Sequence, residues 1–78
     1  MSKLTPEQYQ MALAGLGLSV REFADKAKVA PGTLTRLARG EKLQERTVSA
    51  IRQAFEEEGI EFIDANGGGP GVRLRKRV

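Results

Sequence analysis

Residues 18–40 constrain the fold of this 78-residue chain most strongly, because they carry signals for two short helices separated by a break. Ser19 and Glu22 match a capping box, in which each side chain accepts a hydrogen bond from the other residue's backbone N–H. Pro31 is favoured at the first position of a helix, and Gly40 suits the left-handed position that follows a helix end. These signals predict two short helices set at an angle, the second standing away from the body of the domain.

The apolar residues of this stretch predict which helix faces are buried. They are Phe23, Ala24, Ala27, Val29, Leu34 and Leu37. The first three fall at helical spacing in a helix predicted over residues 20–28, and the last two lie on one face of a helix predicted over residues 31–39. Val29 lies in the break between them. The opposite face of the second helix is left to polar and basic side chains.

The stretch resembles the helix-turn-helix of phage repressors and Cro proteins, which are often called XRE-like regulators. The residues that carry the resemblance are Ala24, Val29, Leu34, Leu37, Arg39 and Gly40. Three residues depart from the family pattern: Val20 stands where Gln is frequent, Lys28 where the turn usually has Gly, and Ala30 where Ser or Thr usually caps the second helix. We therefore expect Lys28 to adopt a positive φ or to reshape the turn.

Before this motif, the chain predicts a first helix with its own capping box. Thr5 is the expected cap, Gln8 completes the box, and Pro6 is the expected first helical residue. Gly15 and Gly17 are expected to end the helix.

After the motif, a fourth helix is predicted over residues 47–58 and is ended by Gly59. Two strands are predicted over residues 60–63 and 72–75, with a glycine-rich turn over 64–71 between them. The predicted fold class is mainly α: a four-helix repressor-like helix-turn-helix domain with a short C-terminal two-stranded β segment.

We predict that residues 1–59 form the DNA-binding domain and that residues 60–78 form a β segment with a basic tail. A lone two-stranded hairpin is marginal in water and leaves strand edges unpaired. We therefore expect these strands to pair with a second copy, so that the C-terminal segment is the dimerisation element of a homodimer.

The positive charge is concentrated where a nucleic-acid footprint is expected. The whole chain carries a net charge of +3 with a pI near 9.7. Residues 18–42 and 67–78 carry net charges of +3 and +4, whereas residues 43–66 carry −4. The basic side chains therefore fall on the helix-turn-helix and on the tail, which favours a polyanionic partner.

Composition argues against several other classes of function. The chain has no cysteine and no histidine, which removes disulfides, thiolate chemistry and the commonest general base and metal ligand. The acidic run 56–58 is interpreted as a solvated helix face. No apolar run suits a membrane span and no signal peptide precedes the domain, so a cytoplasmic protein is expected. We predict no catalytic residue, metal, cofactor or small-molecule ligand.

The resemblance implies that helix 31–39 enters the major groove of double-stranded DNA, with its N-terminal residues at the base edges. The residues carried over as base contacts are Pro31, Gly32, Thr33, Thr35 and Arg36. Arg36 is the strongest of these, because a guanidinium can bond guanine O6 and N7 together. The cations assigned to phosphates are Arg39, Lys42, Arg21 and Lys28. The tail cations, expected either to reach DNA or to shield an edge strand, are Arg73, Arg75, Lys76 and Arg77.

The function implied is a transcriptional regulator that reads a palindromic operator as a homodimer, with half-sites about 34 Å apart. A repressor is favoured, because bound protein blocks polymerase by occupancy. The glycine-rich basic ending also resembles control proteins of prophages and other mobile elements. The alternative is a protein-binding helix-turn-helix module, such as an antiactivator or antitoxin, because Pro31 and Gly32 offer bases no polar side chain.

Overall fold

A computed structural model of the chain describes residues 4–63 and 69–75. The helices and strands in these residues are α1 (Pro6–Leu16), α2 (Val20–Ala27), α3 (Pro31–Ala38), α4 (Glu45–Glu57), β1 (Ile60–Ile63) and β2 (Gly71–Leu74). The predicted fold class is confirmed: four helices are followed by a two-stranded antiparallel sheet. Most of the predicted glycine-rich turn, 64–68, and the tail residues Lys76 and Arg77 lie outside the described residues.

Both predicted capping boxes are formed. The Gln8 backbone N–H donates to Thr5 Oγ1 at 3.0 Å, and the Thr5 N–H donates to Gln8 Oε1 at 3.1 Å. The Glu22 N–H donates to Ser19 Oγ at 3.1 Å, and the Ser19 N–H donates to Glu22 Oε1 at 2.9 Å. The starts of α1 and α2 are therefore set by local side-chain chemistry.

The C-terminal end of α1 and the start of α4 differ from the sequence prediction. Gly15 lies inside α1, and only Gly17, at φ 67°, ends the helix. A Cβ at Gly15 would lie 3.7 Å from Ile60 Cδ1, so this glycine faces the packed hairpin. The helix α4 begins at Glu45 rather than Thr47, since the residues ahead of Thr47 are themselves good helix formers.

The core is built around Phe55 of α4. The Phe23 ring stacks on it with centroids 3.9 Å apart, and the rings of Tyr9 and Phe62 meet it edge-on at 6.0 and 5.9 Å. One side chain thus joins α1, α2 and β1 to α4. Edge-on ring pairs such as Tyr9–Phe55 and Phe55–Phe62 add about 0.5–1.5 kcal/mol each beyond the burial of their area.

The C-terminal hairpin packs against α1 and α4. Its register runs from Ile60 opposite Leu74 to Ile63 opposite Gly71, so β2 starts one residue before the predicted 72–75. The buried Gln8 side chain donates from Nε2 to the carbonyls of Ile63, at 3.1 Å, and of Gly71, at 3.3 Å. The two strands therefore pair with each other and dock on the domain, and their marginal stability alone no longer requires a second copy.

Among residues 4–63 and 69–75, no helix combines the length and apolarity needed to cross a membrane.

Candidate nucleic-acid interface

The turn between α2 and α3 is held by Lys28 in the left-handed conformation, at φ 59° and ψ 43°. Its N–H donates to the Ala24 carbonyl, and the Val29 N–H donates to the same oxygen at 3.1 Å. The first of the two expectations for Lys28, a positive φ, is confirmed. A residue with a Cβ in this conformation costs roughly 1–2 kcal/mol, so the turn is formed under mild strain.

The start of α3 lacks a side-chain cap, as predicted from Ala30. Ala30 is the N-cap residue and makes no side-chain capping bond, while Pro31 is the first helical residue. The end of α3 is a Schellman motif: Gly40, at φ 82°, donates its N–H to the Leu37 carbonyl at 3.0 Å, and the Glu41 N–H donates to the Arg36 carbonyl at 3.1 Å. The C-terminal end of α3 is therefore better secured than its N-terminal end.

The two faces of α3 are sharply different. Leu34 and Leu37 are buried in the core. Thr35, Arg36 and Arg39 are exposed on the other side, and the side chains of the two arginines retain 56% and 69% of their accessible surface. Because the hairpin packs on α1 and α4, the chain's final strands leave this outward face of α3 open to solvent.

The five predicted base-contact residues are placed together at the outer and N-terminal part of α3. Pro31, Gly32, Thr35 and Arg36 are exposed and Thr33 is half-buried. The Thr35 hydroxyl donates to the Pro31 carbonyl at 3.3 Å, so its oxygen is left as an acceptor. A Cβ at Gly32 would meet no atom within 4 Å among the described residues, which leaves open space beside the backbone.

Sequence reasoning missed Glu41, which contacts both Arg36 of α3 and Arg39, the residue that caps the C-terminal end of α3. The Arg36 Nε–H donates to Glu41 Oε1 at 3.1 Å, and Arg39 Nη1 lies 3.7 Å from Glu41 Oε2. The sequence contained a usable signal: Gly40 predicts a left-handed turn at the helix end, and such a turn folds the next residue back over the last helical turn. The outward face of α3 is therefore cationic but partly neutralised.

The four cations assigned to phosphates, Arg39, Lys42, Arg21 and Lys28, are all exposed. Lys42 and Arg36 lie at the rim of a shallow polar cavity of about 230 Å³ between α3 and the start of α4. The remaining lining residues are Thr33, Leu43, Gln44 and Thr47. This cavity joins the outward face of α3 to the connector that follows it, so the predicted base and phosphate residues meet there.

The tail cations that the structure describes are bound to their own domain. Arg73 pairs with Glu61 across the hairpin, through its Nη2 and, at 2.8 Å, its Nε. Arg75 Nη2 donates to the Glu56 carbonyl at 2.9 Å. These contacts tie Arg73 to β1 and Arg75 to the C-terminal end of α4, whereas the predicted roles of Lys76 and Arg77 fall on residues outside those that the structure describes.

Within residues 4–63 and 69–75, no group of three His, Cys, Asp or Glu side chains is arranged to hold a metal ion. A scan of the chain against protein-family models finds no match, and a search of curated proteins finds none. The interpretation of this surface therefore depends on its geometry and charge.

Proposed function

We propose that this protein is a transcriptional regulator that binds double-stranded DNA in a sequence-specific way by placing α3 in the major groove. The observation that carries the proposal is the division of α3 into two faces. Leu34 and Leu37 anchor the helix, and the opposite face presents Thr35, Arg36 and Arg39 to solvent. The major groove, about 12 Å wide, admits one helix held in this manner.

Arg36 is the residue we assign to base reading. It lies on the outward face of α3 with half of its side-chain surface exposed, and a guanidinium matches the N7 and O6 acceptors of guanine. Thr33 and Thr35 add hydroxyl contacts. The open space at Gly32 lets the backbone approach the bases, and the exposed Pro31 ring suits a thymine methyl group.

Phosphate contacts are assigned to the exposed cations around this face, Arg39, Lys42, Arg21 and Lys28. Contacts of this kind fix the orientation of the protein and carry no sequence information. Each neutralised phosphate contributes about 0.9 to the slope of log affinity against log salt, so four contacts predict a slope of about −4 per bound copy.

The experiment is selection of bound duplexes from a random pool, followed by mobility shifts over a salt series. We expect one recurring motif, steep salt dependence, and a loss of preference at one base pair per half-site in Arg36→Ala. Arg39→Ala, the matched variant at the C-cap of α3, is expected to weaken binding to all sequences alike. Equal effects of the two variants would contradict the assigned roles, and absence of any selected motif would contradict the function.

The proposed assembly is a homodimer formed through the C-terminal strands, which would read a two-fold symmetric operator. Each strand of the hairpin has one edge with no strand partner among the described residues. Three large apolar side chains on the hairpin and on α1 are exposed: Leu74 of β2 at 56%, Ile63 of β1 at 42% and Met11 of α1 at 41%. A second copy would cover the apolar surface and extend the sheet.

Sedimentation velocity with Leu74→Lys tests the dimer, and Gln53→Lys, which adds the same charge on the exposed side of α4, is the control. We expect the wild type and Gln53→Lys to dimerise and Leu74→Lys to shift toward monomer and to bind the selected operator more weakly. A wild type that stays monomeric at concentrations that saturate the operator would refute this assembly.

A repressor acting in the cytoplasm, of the kind found in prophages and other mobile elements, is the form of regulator that we propose. The competing proposal is a protein-binding module, such as an antiactivator or antitoxin. One observation favours it: Glu41 already forms ion pairs with Arg36 and Arg39 in the free chain, which reduces the charge available to DNA. Weak DNA binding that is insensitive to salt would support this second function.

A further inference from the structure

We infer that Glu41 is a positioning residue, which orients Arg36 for base reading and thereby exchanges overall DNA affinity for sequence preference. The inference rests on the proposed DNA-binding function and adds a residue that sequence reasoning did not assign. Its basis is a pair of contacts that tie Glu41 to Arg36, one through the backbone and one through the side chains.

The backbone contact places Glu41 beside Arg36. Gly40 adopts φ 82°, and the chain folds back so that the Glu41 N–H donates to the Arg36 carbonyl at 3.1 Å. This bond belongs to the Schellman motif that ends α3. It holds the backbone of Glu41 against the last turn of α3, within reach of the Arg36 side chain.

The side-chain contact leaves the reading end of Arg36 available. The carboxylate accepts from Nε at 3.1 Å, which is the side of the guanidinium nearest the chain. Within the described residues, no hydrogen bond engages Nη1 or Nη2 of Arg36. Those two nitrogens form a pair of donors whose spacing matches guanine N7 and O6. A guanidinium that is already held in place loses less conformational freedom on binding than a mobile one.

Whereas the contact with Arg36 favours guanine, the negative charge of Glu41 lowers the affinity for DNA of any sequence. Oε1 contacts Arg36 and Oε2 lies 3.7 Å from Arg39, so one carboxylate reduces the positive potential of both arginines. A negative charge at this place disfavours phosphates of every sequence equally. Glu41 should therefore lower the affinity for non-specific DNA while raising the relative affinity for guanine at one position.

Two substitutions separate positioning from charge. Glu41→Gln removes the charge but keeps an oxygen that can accept from Arg36 Nε, whereas Glu41→Ala removes both. We expect non-specific affinity to rise equally in the two variants, while guanine preference falls about tenfold in Glu41→Ala and is largely kept in Glu41→Gln. Glu45→Gln, which removes an exposed charge with no ion pair among the described residues, is the control and should keep full preference.

The measurement is the affinity of each variant for the selected operator and for the operator with its guanine replaced, repeated in an Arg36→Ala background. We expect Glu41→Ala to have no further effect on preference once Arg36 is absent. Full guanine preference in Glu41→Ala would overturn the inference while leaving the proposed function intact. A wild type without any base preference would overturn both.

A second measurement needs no DNA. The Arg36 Nε–H should give a slowly exchanging ¹⁵N–¹H resonance in the free wild-type protein, and this resonance should exchange faster in Glu41→Ala. Circular dichroism should show that the variants keep the wild-type fold, because the backbone bond of Glu41 does not need its side chain. An Arg36 Nε–H that exchanges equally fast in wild type and Glu41→Ala would overturn the inference, whatever the DNA measurements show.

Discussion

Leu37→Ala tests whether α3 is held by its inner face alone. Leu37 is 4% exposed and, with Leu34, supplies the buried side chains of this eight-residue helix. A helix this short is not stable in isolation, so its order depends on that packing. Removing a buried leucine side chain costs about 2–5 kcal/mol, while a chain of this size has roughly 4–12 kcal/mol of total stability. We expect a loss of about 3 kcal/mol.

Urea unfolding followed by circular dichroism measures this loss. With a slope of about 1–2 kcal/mol per molar urea, the midpoint should fall by about 2 M. Thr35→Ala is the matched control, because Thr35 lies on the outward face of the same helix and its hydroxyl bonds only the Pro31 carbonyl. The control should change stability by less than about 0.5 kcal/mol. A loss below about 1 kcal/mol in Leu37→Ala, or equal losses in both variants, would refute the division of α3 into two faces.

Three further predictions concern stability. Tyr9 is 2% exposed and its hydroxyl has no partner among the described residues, so Tyr9→Phe should keep or raise thermal stability, by up to about 1 kcal/mol. Burial raises the pKa of Tyr9 above 10.0, so the wild type should lose stability as the pH rises beyond 10 because only the unfolded chain releases the proton readily, and Tyr9→Phe should lose less. Lys28→Gly should raise the urea midpoint by the equivalent of about 0.5–1 kcal/mol, since glycine adopts the left-handed turn without strain. Hydrogen bonds from the Ser19 backbone N–H and then from its hydroxyl lower the pKa of Glu22 below 4.5. The stability that the ionised Glu22 carboxylate contributes should therefore be lost as the pH falls below 4.5 and the carboxylate is protonated. Urea unfolding of Glu22→Gln should lack this part of the loss of stability in acid.

Much of the fold could be predicted because its signals are local. Both capping boxes lie within four consecutive residues, and Gly17 and Gly40 mark helix ends by their own conformational freedom. The strand over residues 60–63 was predicted with its observed bounds, because β-branched and aromatic residues follow a helix-ending glycine there. Interactions between residues this close in the chain can be predicted from the sequence.

Gln8 shows why the rest could not be predicted. In the sequence it is a capping residue, and its Oε1 does accept the bond of the capping box. Its Nε2 also bonds Ile63 and Gly71, which are 55 and 63 residues away in the chain. Nothing local indicates that the strands β1 and β2 will pack against this side chain. Docking of the hairpin on α1, and hence the exposure of α3, depends on contacts of this long-range kind.

Long-range contacts also decide which charges are paired, and the net charge of +3 does not show this. Several cations outside the α2–α3 segment are paired with the acidic end of α4 and with β1: Arg52 with Glu56, Arg73 with Glu61, and Arg75 with the Glu56 carbonyl. The charges of Arg52 and Arg73 are compensated by carboxylates within the domain, whereas the neutral Glu56 carbonyl leaves the charge of Arg75 in place. Around α3, the exposed cations Arg21, Lys28 and Lys42 have no ion pair among the described residues, and this is the surface that the proposed function uses.

On that surface, the single negative charge of Glu41 acts on two cations at the end of α3, Arg36 and Arg39. It removes potential from Arg36 and Arg39 together, where a carboxylate elsewhere on the surface would be screened within about 10 Å. A protein that needed only tight binding would gain from losing it. Its placement at a helix end that fixes its geometry makes sense for a protein that must reject most sequences, because specificity is a difference between affinities and not an affinity.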